Sequence, residues 1–194
     1  MSVFTKNYKE VLILGNGPTL KDNLQEILDY QSRGVVVFGV NRIFLSEEIR
    51  TDYYVALDRH LWRHNFEDIL SQNCQHYFAG KMYYPKMQQV ENLSVIEYSN
   101  NPLDFATKWG QKIGHGHTSV YAAMQLAVIA GAEKIDIFGV DGGPDKSGKT
   151  HFFGSRNRKE KAWNAINRGI TAGLEKLSQL GIPYQIHSEV YHAR

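Results

Sequence analysis

The sequence contains a single cysteine, Cys74, which excludes an internal disulfide and is typical of a protein from a reducing compartment. A lone cysteine that follows a helix-like stretch is expected to be structural rather than nucleophilic. The chain also lacks an apolar run long enough to cross a bilayer, and its first ten residues lack the apolar core of a signal peptide. These absences predict a soluble, cytoplasmic protein.

An excess of charge of one sign is also missing. The formal net charge is +2 over 194 residues, and no basic face of the kind found in dedicated nucleic-acid binders is evident. The sequence contains neither an internal repeat nor a low-complexity segment. We therefore expect one domain, residues 1–194, large enough to bury a core unaided.

Short apolar runs alternate with helical patterns along most of the chain. This alternation predicts an α/β fold with a mostly parallel, doubly wound sheet and helices on both of its faces. The predicted strands are Val11–Leu14, Val35–Gly39, Tyr53–Leu57, His76–Ala79, Val95–Tyr98, Ile135–Gly139 and Tyr184–His187. The predicted helices are Leu20–Tyr30, Leu61–Ser71, Ser119–Ala130 and Lys159–Leu180. Two segments break the alternation, residues 81–116 and 142–158, and long segments of this kind are usually functional loops.

The first predicted strand runs into a turn with two glycines, made of Gly15, Asn16, Gly17, Pro18 and Thr19. Glycines let a ligand approach the backbone, and the free N–H groups of a helix N-terminus attract phosphate. The turn therefore predicts a nucleotide or phosphate site, although tight chain reversal alone explains the same pattern. The third glycine of the dinucleotide fingerprint and the acidic residue after the second strand are missing, so no redox cofactor is expected.

Polar side chains follow three further strands, where an α/β protein builds its site. Asn41 and Arg42 follow the second strand, Asp58 and Arg59 follow the third, and Asp141 follows the Ile135–Gly139 strand. The two aspartates are candidate ligands of Mg²⁺; alternatively, Asp58 caps a helix and Asp141 opens a turn. The two arginines are candidate clamps for phosphate or carboxylate; alternatively, they are ordinary surface arginines.

The segment from Gly114 to Ser119 leads into an alanine-rich helix that is apolar nearly all round and should be buried against the sheet. Either Thr118 or Ser119 is expected to cap this helix, whose open N–H groups would then face a phosphate or carboxylate. His115 and His117 are weak zinc candidates because neither Cys nor Glu lies nearby.

The second irregular segment, residues 142–158, is rich in glycine and basic residues. His151 lies there among several cations and is a candidate general acid or base near neutral pH. Lys149 and Arg156 are the cations that we expect to hold an anionic donor or leaving group; alternatively, the segment is a solvated basic loop. Gly148-Lys149-Thr150 is not a Walker site, because the earlier glycine and the strand-loop-helix context are missing.

Three blocks together resemble two related families of the Rossmann-like superfamily. The blocks are Gly15-Asn16-Gly17-Pro18-Thr19-Leu20, Val40-Asn41-Arg42-Ile43-Phe44 and the stretch from Thr118 to Asp141. One family is the bacterial sialyltransferases that use CMP-sialic acid. The other is the MptE-like proteins of the "domain of unknown function 115" group, which include an archaeal 6-hydroxymethylpterin pyrophosphokinase.

This resemblance implies roles for several residues. Asn16 and Asn41 would contact the cytidine nucleotide and its phosphate, and Thr118-Ser119 would lie against the donor. Asp58 stands where the sialyltransferases have an asparagine, as expected of an MptE-like protein. Ser155 stands where the sialyltransferases have their catalytic histidine, which leaves His151 as the nearest substitute.

The resemblance, taken with these residues, implies three candidate functions. The first is transfer of a sugar from a nucleotide-activated donor, a CMP-sugar among the candidates. The second is Mg²⁺-dependent diphosphate transfer from ATP to a small hydroxymethyl heterocycle, with Asp58 and Asp141 as metal ligands. The third is non-catalytic nucleotide binding. The expected partners are a nucleotide or nucleotide-sugar and an acceptor that the sequence does not identify, and homo-oligomer formation stays open.

Overall fold

The computed structural model describes residues 3–4, 7–81, 85–155 and 159–188, and within them it contains seven strands and six α-helices. The strands are β1 (Val11–Leu14), β2 (Val36–Val40), β3 (Tyr53–Ala56), β4 (His76–Gly80), β5 (Leu93–Ile96), β6 (Ile135–Phe138) and β7 (Tyr184–His187). The helices are α1 (Thr19–Asp22), α2 (Leu24–Ser32), α3 (Arg59–His64), α4 (Phe66–Leu70), α5 (Ser119–Ile129) and α6 (Glu160–Gln179). Two 3₁₀ helices span Asn41–Leu45 and Pro85–Gln89.

The strands form one parallel sheet in the order β5-β4-β3-β2-β1-β6-β7, which confirms the predicted doubly wound, Rossmann-like fold. The chain moves outward from β1 through β5 on one side, and then returns to place β6 on the other side of β1. This reversal of strand order opens a crevice at the carboxyl ends of β1 and β6.

The core has two parts, one on each face of the sheet. Alternate side chains of each strand point to opposite faces, so Val11 and Ile13 join one part while Leu12 and Leu14 join the other. The helix α5 lies across β1, β2 and β3, with α6 packed on it. The expectation that the alanine-rich helix is buried against the sheet is therefore confirmed.

Three predicted elements differ from the observed ones. The predicted helix Leu20–Tyr30 is two helices that break at Asn23, whose side chain donates to the carbonyl of Thr19 at 2.8 Å. The predicted helix Leu61–Ser71 likewise breaks at Asn65, whose side chain donates to the carboxylate of Asp68 at 3.2 Å. The fifth strand lies two residues earlier than predicted, since Leu93–Ile96 pairs with β4.

Cys74 is buried, and its backbone N–H donates to the hydroxyl of Tyr77 at 3.0 Å. Burial raises the pKa of the Cys74 thiol to about 12, so the thiol stays protonated at neutral pH. The expectation of a structural cysteine agrees with this environment. Across the described part of the chain, no helix combines the length and the apolar character needed to cross a membrane.

The turns after β1 and β6 lie in direct contact, and this contact requires glycine. A Cβ at Gly15 would overlap the carbonyl oxygen of Gly139. We therefore expect Gly15→Ala to lower the free energy of unfolding by about 1–3 kcal/mol, as overpacked substitutions do. Gly143→Ala is the matched control, because a Cβ there meets no atom within 4 Å. Urea unfolding of both variants tests this, and equal stabilities would contradict the contact.

Candidate functional site

A cavity of about 560 Å³ opens at the carboxyl edge of the sheet, beside the reversal of strand order. This volume lies within the range of small-molecule sites. Most of the residues predicted from the sequence line it, namely Asn16, Gly17, Asn41, Arg42, Asp58, Thr118, Ser119, Asp141 and His151. Gly15, Pro18, Thr19 and Lys149 are not among the lining residues that the structure describes, and Arg156 lies outside the described residues.

Three N–H groups of the glycine turn are already bonded within the protein. Gly15 donates to the carbonyl of Phe138 at 2.8 Å, and Gly17 donates to the carbonyl of Gly139 at 2.7 Å. The Thr19 N–H donates to Asp141 at 2.9 Å. The expected open N–H groups are therefore absent from these three positions, because the turn of β6 supplies their acceptors.

Asp141 caps the short helix that follows this turn. Its Oδ2 accepts the N–H of Thr19, and its Oδ1 accepts the hydroxyls of Thr19 and Ser188. The side chain is only 4% exposed. Three protein donors thus satisfy the carboxylate, which acts as a clamp between the turns of β1 and β6 rather than as an open metal ligand.

Asn16 connects the ends of β1 and β2. Its amide nitrogen donates to the carbonyl of Val40 at 2.9 Å, and its Oδ1 accepts the N–H of Arg42 at 2.8 Å. Both ends of the carboxamide are therefore used to fix the turn that follows β2. The backbone carbonyl of Asn16 accepts the N–H of Phe152 at 3.0 Å, which also ties the second irregular segment to this turn.

Asn41 and Ser119 form a network at the start of α5. The N–H of Leu57 donates to Ser119 Oγ at 3.2 Å, and this hydroxyl donates to Asn41 Oδ1 at 2.8 Å. The hydroxyl of Tyr54 holds the backbone carbonyl of Asn41, which has a φ of 51°. Because the carboxamide oxygen faces Ser119, the amide NH₂ is the part of Asn41 that remains as a donor.

The N-cap of α5 is Thr118, one of the two residues that the sequence analysis proposed. Its Oγ1 accepts the N–H of Val120 at 3.3 Å. Among the described residues, the N–H of Ser119 has no acceptor. The long, buried helix α5 therefore directs an open donor and the positive end of its dipole toward the cavity.

Asp58 lies at the exposed rim of the cavity and caps α3 by accepting the N–H of His60 at 2.8 Å. The capping alternative is thus the one that the geometry favours, although Asp58 Oδ2 keeps no partner among the described residues. Arg59 is exposed on α3 and is not among the described lining residues. Within the described ranges, no group of three His, Cys, Asp or Glu residues lies close enough together to hold a metal ion.

His151 is buried at the wall of the cavity, with 8% of its surface exposed. Its Nδ1 lies 2.8 Å from the hydroxyl of Thr150, and its ring packs against Phe153 at 5.0 Å between centroids. The guanidinium of Arg42 lies 5.9 Å from the Phe153 ring centre. Ser155, by contrast, is exposed and donates to the carbonyl of Gly148 at 3.2 Å.

Several lining residues were not predicted from the sequence as site residues. They are Leu57, Leu61, Tyr98, Trp163, Ile166 and Ile170. Trp163, Ile166 and Ile170 share one face of α6, at the helical spacing of three and four residues. That spacing alone does not reveal whether the face meets the core or a cavity, because the answer depends on how α6 packs on α5.

Comparisons with known proteins bear on this site. A sequence profile of the family described as 6-hydroxymethylpterin diphosphokinase MptE-like matches residues 1–146. Among solved structures, the chain is similar to the MAf glycosyltransferase from Magnetospirillum magneticum AMB-1, with a TM-score of 0.57 and 18% identity. The match covers 86% of this chain and 30% of that chain, and it shows a shared fold alone. No curated protein matches significantly.

The clamp by Asp141 has a measurable consequence. In Asp141→Asn an amide NH₂ replaces one of the accepting oxygens, so at least one of the three donors loses its acceptor. We expect the free energy of unfolding to fall by about 1–3 kcal/mol. Asp58→Asn is the control, because asparagine caps helices as well as aspartate does. Denaturant unfolding compares the two, and an unchanged Asp141→Asn variant would contradict the clamp.

Proposed function

The chain belongs to the 6-hydroxymethylpterin diphosphokinase MptE-like family, and from this premise we propose that it is a transferase whose nucleotide-activated donor binds in the cavity. The proposal rests chiefly on the start of α5. There the amide of Asn41, the N–H of Ser119 and the cation of Arg42 all belong to the lining of one cavity. These donors suit the phosphate of a nucleotide.

The donor that we propose is a nucleotide-activated sugar, with a CMP-sugar as the first candidate. The glycosyltransferase of similar fold supports this choice, and so does the carboxylate arrangement. Asp141 is held by three protein donors and Asp58 caps α3, so the side chains suit a donor that needs no resident metal.

In the proposed transfer, His151 takes the proton of the acceptor hydroxyl. For this role the neutral ring takes the tautomer in which Nδ1–H donates to the hydroxyl of Thr150, 2.8 Å away. The basic lone pair is then on Nε2. The acceptor oxygen forms a bond to the anomeric carbon of the sugar while the bond from that carbon to the phosphate oxygen breaks. Arg42 and the N-terminus of α5 stabilise the negative charge on the departing nucleotide.

Diphosphate transfer from ATP is the second candidate, and the description of the family favours it. Such transfer uses Mg²⁺ bound to the phosphates, with one or two carboxylates as further ligands. The free Oδ2 of Asp58 is the one carboxylate oxygen at the described cavity rim that suits this role. The donor set is therefore poor for a resident ion.

We expect CMP to raise the melting temperature by several degrees without Mg²⁺, since a ligand at 100 times its Kd adds about 2.7 kcal/mol. Asn41→Ala should weaken CMP binding about tenfold or more, because it removes an amide donor to a charged group. Ser119→Ala keeps the backbone N–H and should weaken CMP binding less, through loss of the hydroxyl that holds Asn41 Oδ1. The exposed Asn100→Ala and Ser178→Ala variants serve as controls. Thermal shift and calorimetry with CMP, CDP, UDP, GDP, ATP and AMP, with and without Mg²⁺, make the comparison.

Three outcomes of this panel are distinct. A rise in melting temperature with CMP in the absence of Mg²⁺ supports the nucleotide-sugar donor. A shift with ATP that requires Mg²⁺ and disappears in Asp58→Ala supports diphosphate transfer instead. If no nucleotide of the panel changes the melting temperature, the proposal is contradicted.

A second test concerns His151. We expect His151→Asn to keep nucleotide binding within about threefold and to lose turnover by 10²–10⁴-fold, the usual contribution of a general base. Donor hydrolysis or transfer measured on the wild type and the variant makes the comparison, with the exposed His60→Asn variant as a control. Turnover that survives in His151→Asn would remove this residue from the mechanism.

A further inference from the structure

Five residues of the cavity lining are aromatic or apolar, and the proposed transfer does not use them. They are Tyr98, His115, Trp163, Ile166 and Ile170, and we call this set the aromatic half. None of these five side chains carries a formal charge when His115 is neutral. The half therefore suits an uncharged group and not a phosphate.

His115 is held in one protonation state by its neighbour. The backbone N–H of His117 donates to His115 Nδ1 at 3.1 Å, so the proton of the neutral ring lies on Nε2. Burial and the adjacent His117 lower the pKa of His115, which keeps the ring neutral at pH 7. At this wall of the cavity His115 thus acts as an uncharged hydrogen-bond donor.

The hydroxyl of Tyr98 is a second polar group among these residues. The ring of Tyr98 meets that of His115 edge to face, with 5.8 Å between centroids. Burial raises the pKa of Tyr98 to about 12, and within the described residues its hydroxyl makes no hydrogen bond. The hydroxyl is therefore able to donate to a ligand or to accept from one.

The helix α6 packs against the turn that carries His115. Gly116 and His117 both have positive φ, at 49° and 60°. A Cβ at Gly169 would overlap the carbonyl oxygen of Gly116, so α6 lies directly against this turn. Trp163 and His115 therefore belong to two elements that are in direct contact at Gly169 and Gly116.

We propose that the aromatic half binds the heterocyclic base of the donor nucleotide, with the base packed on Trp163 and its acceptor atoms bonded to His115 and Tyr98. This assignment rests on the proposed function, because it takes the donor to be a nucleotide. A flat ring with carbonyl and ring-nitrogen acceptors matches two uncharged polar tips beside an indole, and base–aromatic stacking tolerates such a mixed lining.

The test uses nucleosides, which carry the base without a phosphate. Cytidine, uridine, adenosine and guanosine are titrated against ¹⁵N-labelled protein, and methyl glucoside and ribose 5-phosphate are titrated as probes that lack a base. The indole N–H signal of Trp163 is assigned by its absence from Trp163→Phe. We expect at least one nucleoside to shift this signal and neither base-free probe to do so.

Variants then distinguish binding of the base from binding of the phosphate. Tyr98→Phe and His115→Leu should each weaken that nucleoside about tenfold and leave ribose 5-phosphate unchanged, whereas the control Tyr184→Phe should change neither. If no nucleoside moves the Trp163 signal, or if methyl glucoside moves it instead, the base assignment is overturned. If nucleosides bind there while nucleotides bind no more tightly, the aromatic half stands and the proposed phosphate site at Asn41 and Ser119 fails.

Discussion

The contact between the turns of β1 and β6 is the constraint on which the rest of the site depends. Gly15 and Gly17 donate to the backbone at Phe138 and Gly139, and Asp141 caps the helix that follows. These bonds occupy the N–H groups of Gly15, Gly17 and Thr19, which a glycine turn otherwise offers to phosphate. At the start of α5, by contrast, the N–H of Ser119 has no acceptor among the described residues.

The same contact positions the wall of the cavity. Asn16 stands between the two glycines of the turn, and its carboxamide holds the chain after β2 at Val40 and Arg42. Its backbone carbonyl holds Phe152, the neighbour of His151. One residue therefore links the turn of β1, the arginine of the cavity and the histidine of the irregular segment. We regard Asn16 as a positioning residue, since both ends of its side chain are engaged within the protein.

Much of this arrangement could be read from local sequence. Buried parallel strands appear as short apolar runs, and the apolar helix before Gly131 was expected to be buried, with Thr118 or Ser119 as its cap. The capping role of Asp141 was not readable, because it depends on β6 lying beside β1. The cavity-facing side of α6 was hidden for a similar reason, since it follows from the contact of Gly169 with Gly116. Long-range packing decides such features, and no local pattern encodes them.

The central claim is that a nucleotide places its phosphate at the start of α5 and not on the glycine turn. A crystal structure of the protein soaked with CMP tests this most directly. The account predicts phosphate density within hydrogen-bond distance of the Ser119 N–H and the Asn41 amide, with Asp141 still bonded to Thr19. Density on the N–H groups of Gly17 and Thr19, with Asp141 displaced, would contradict it.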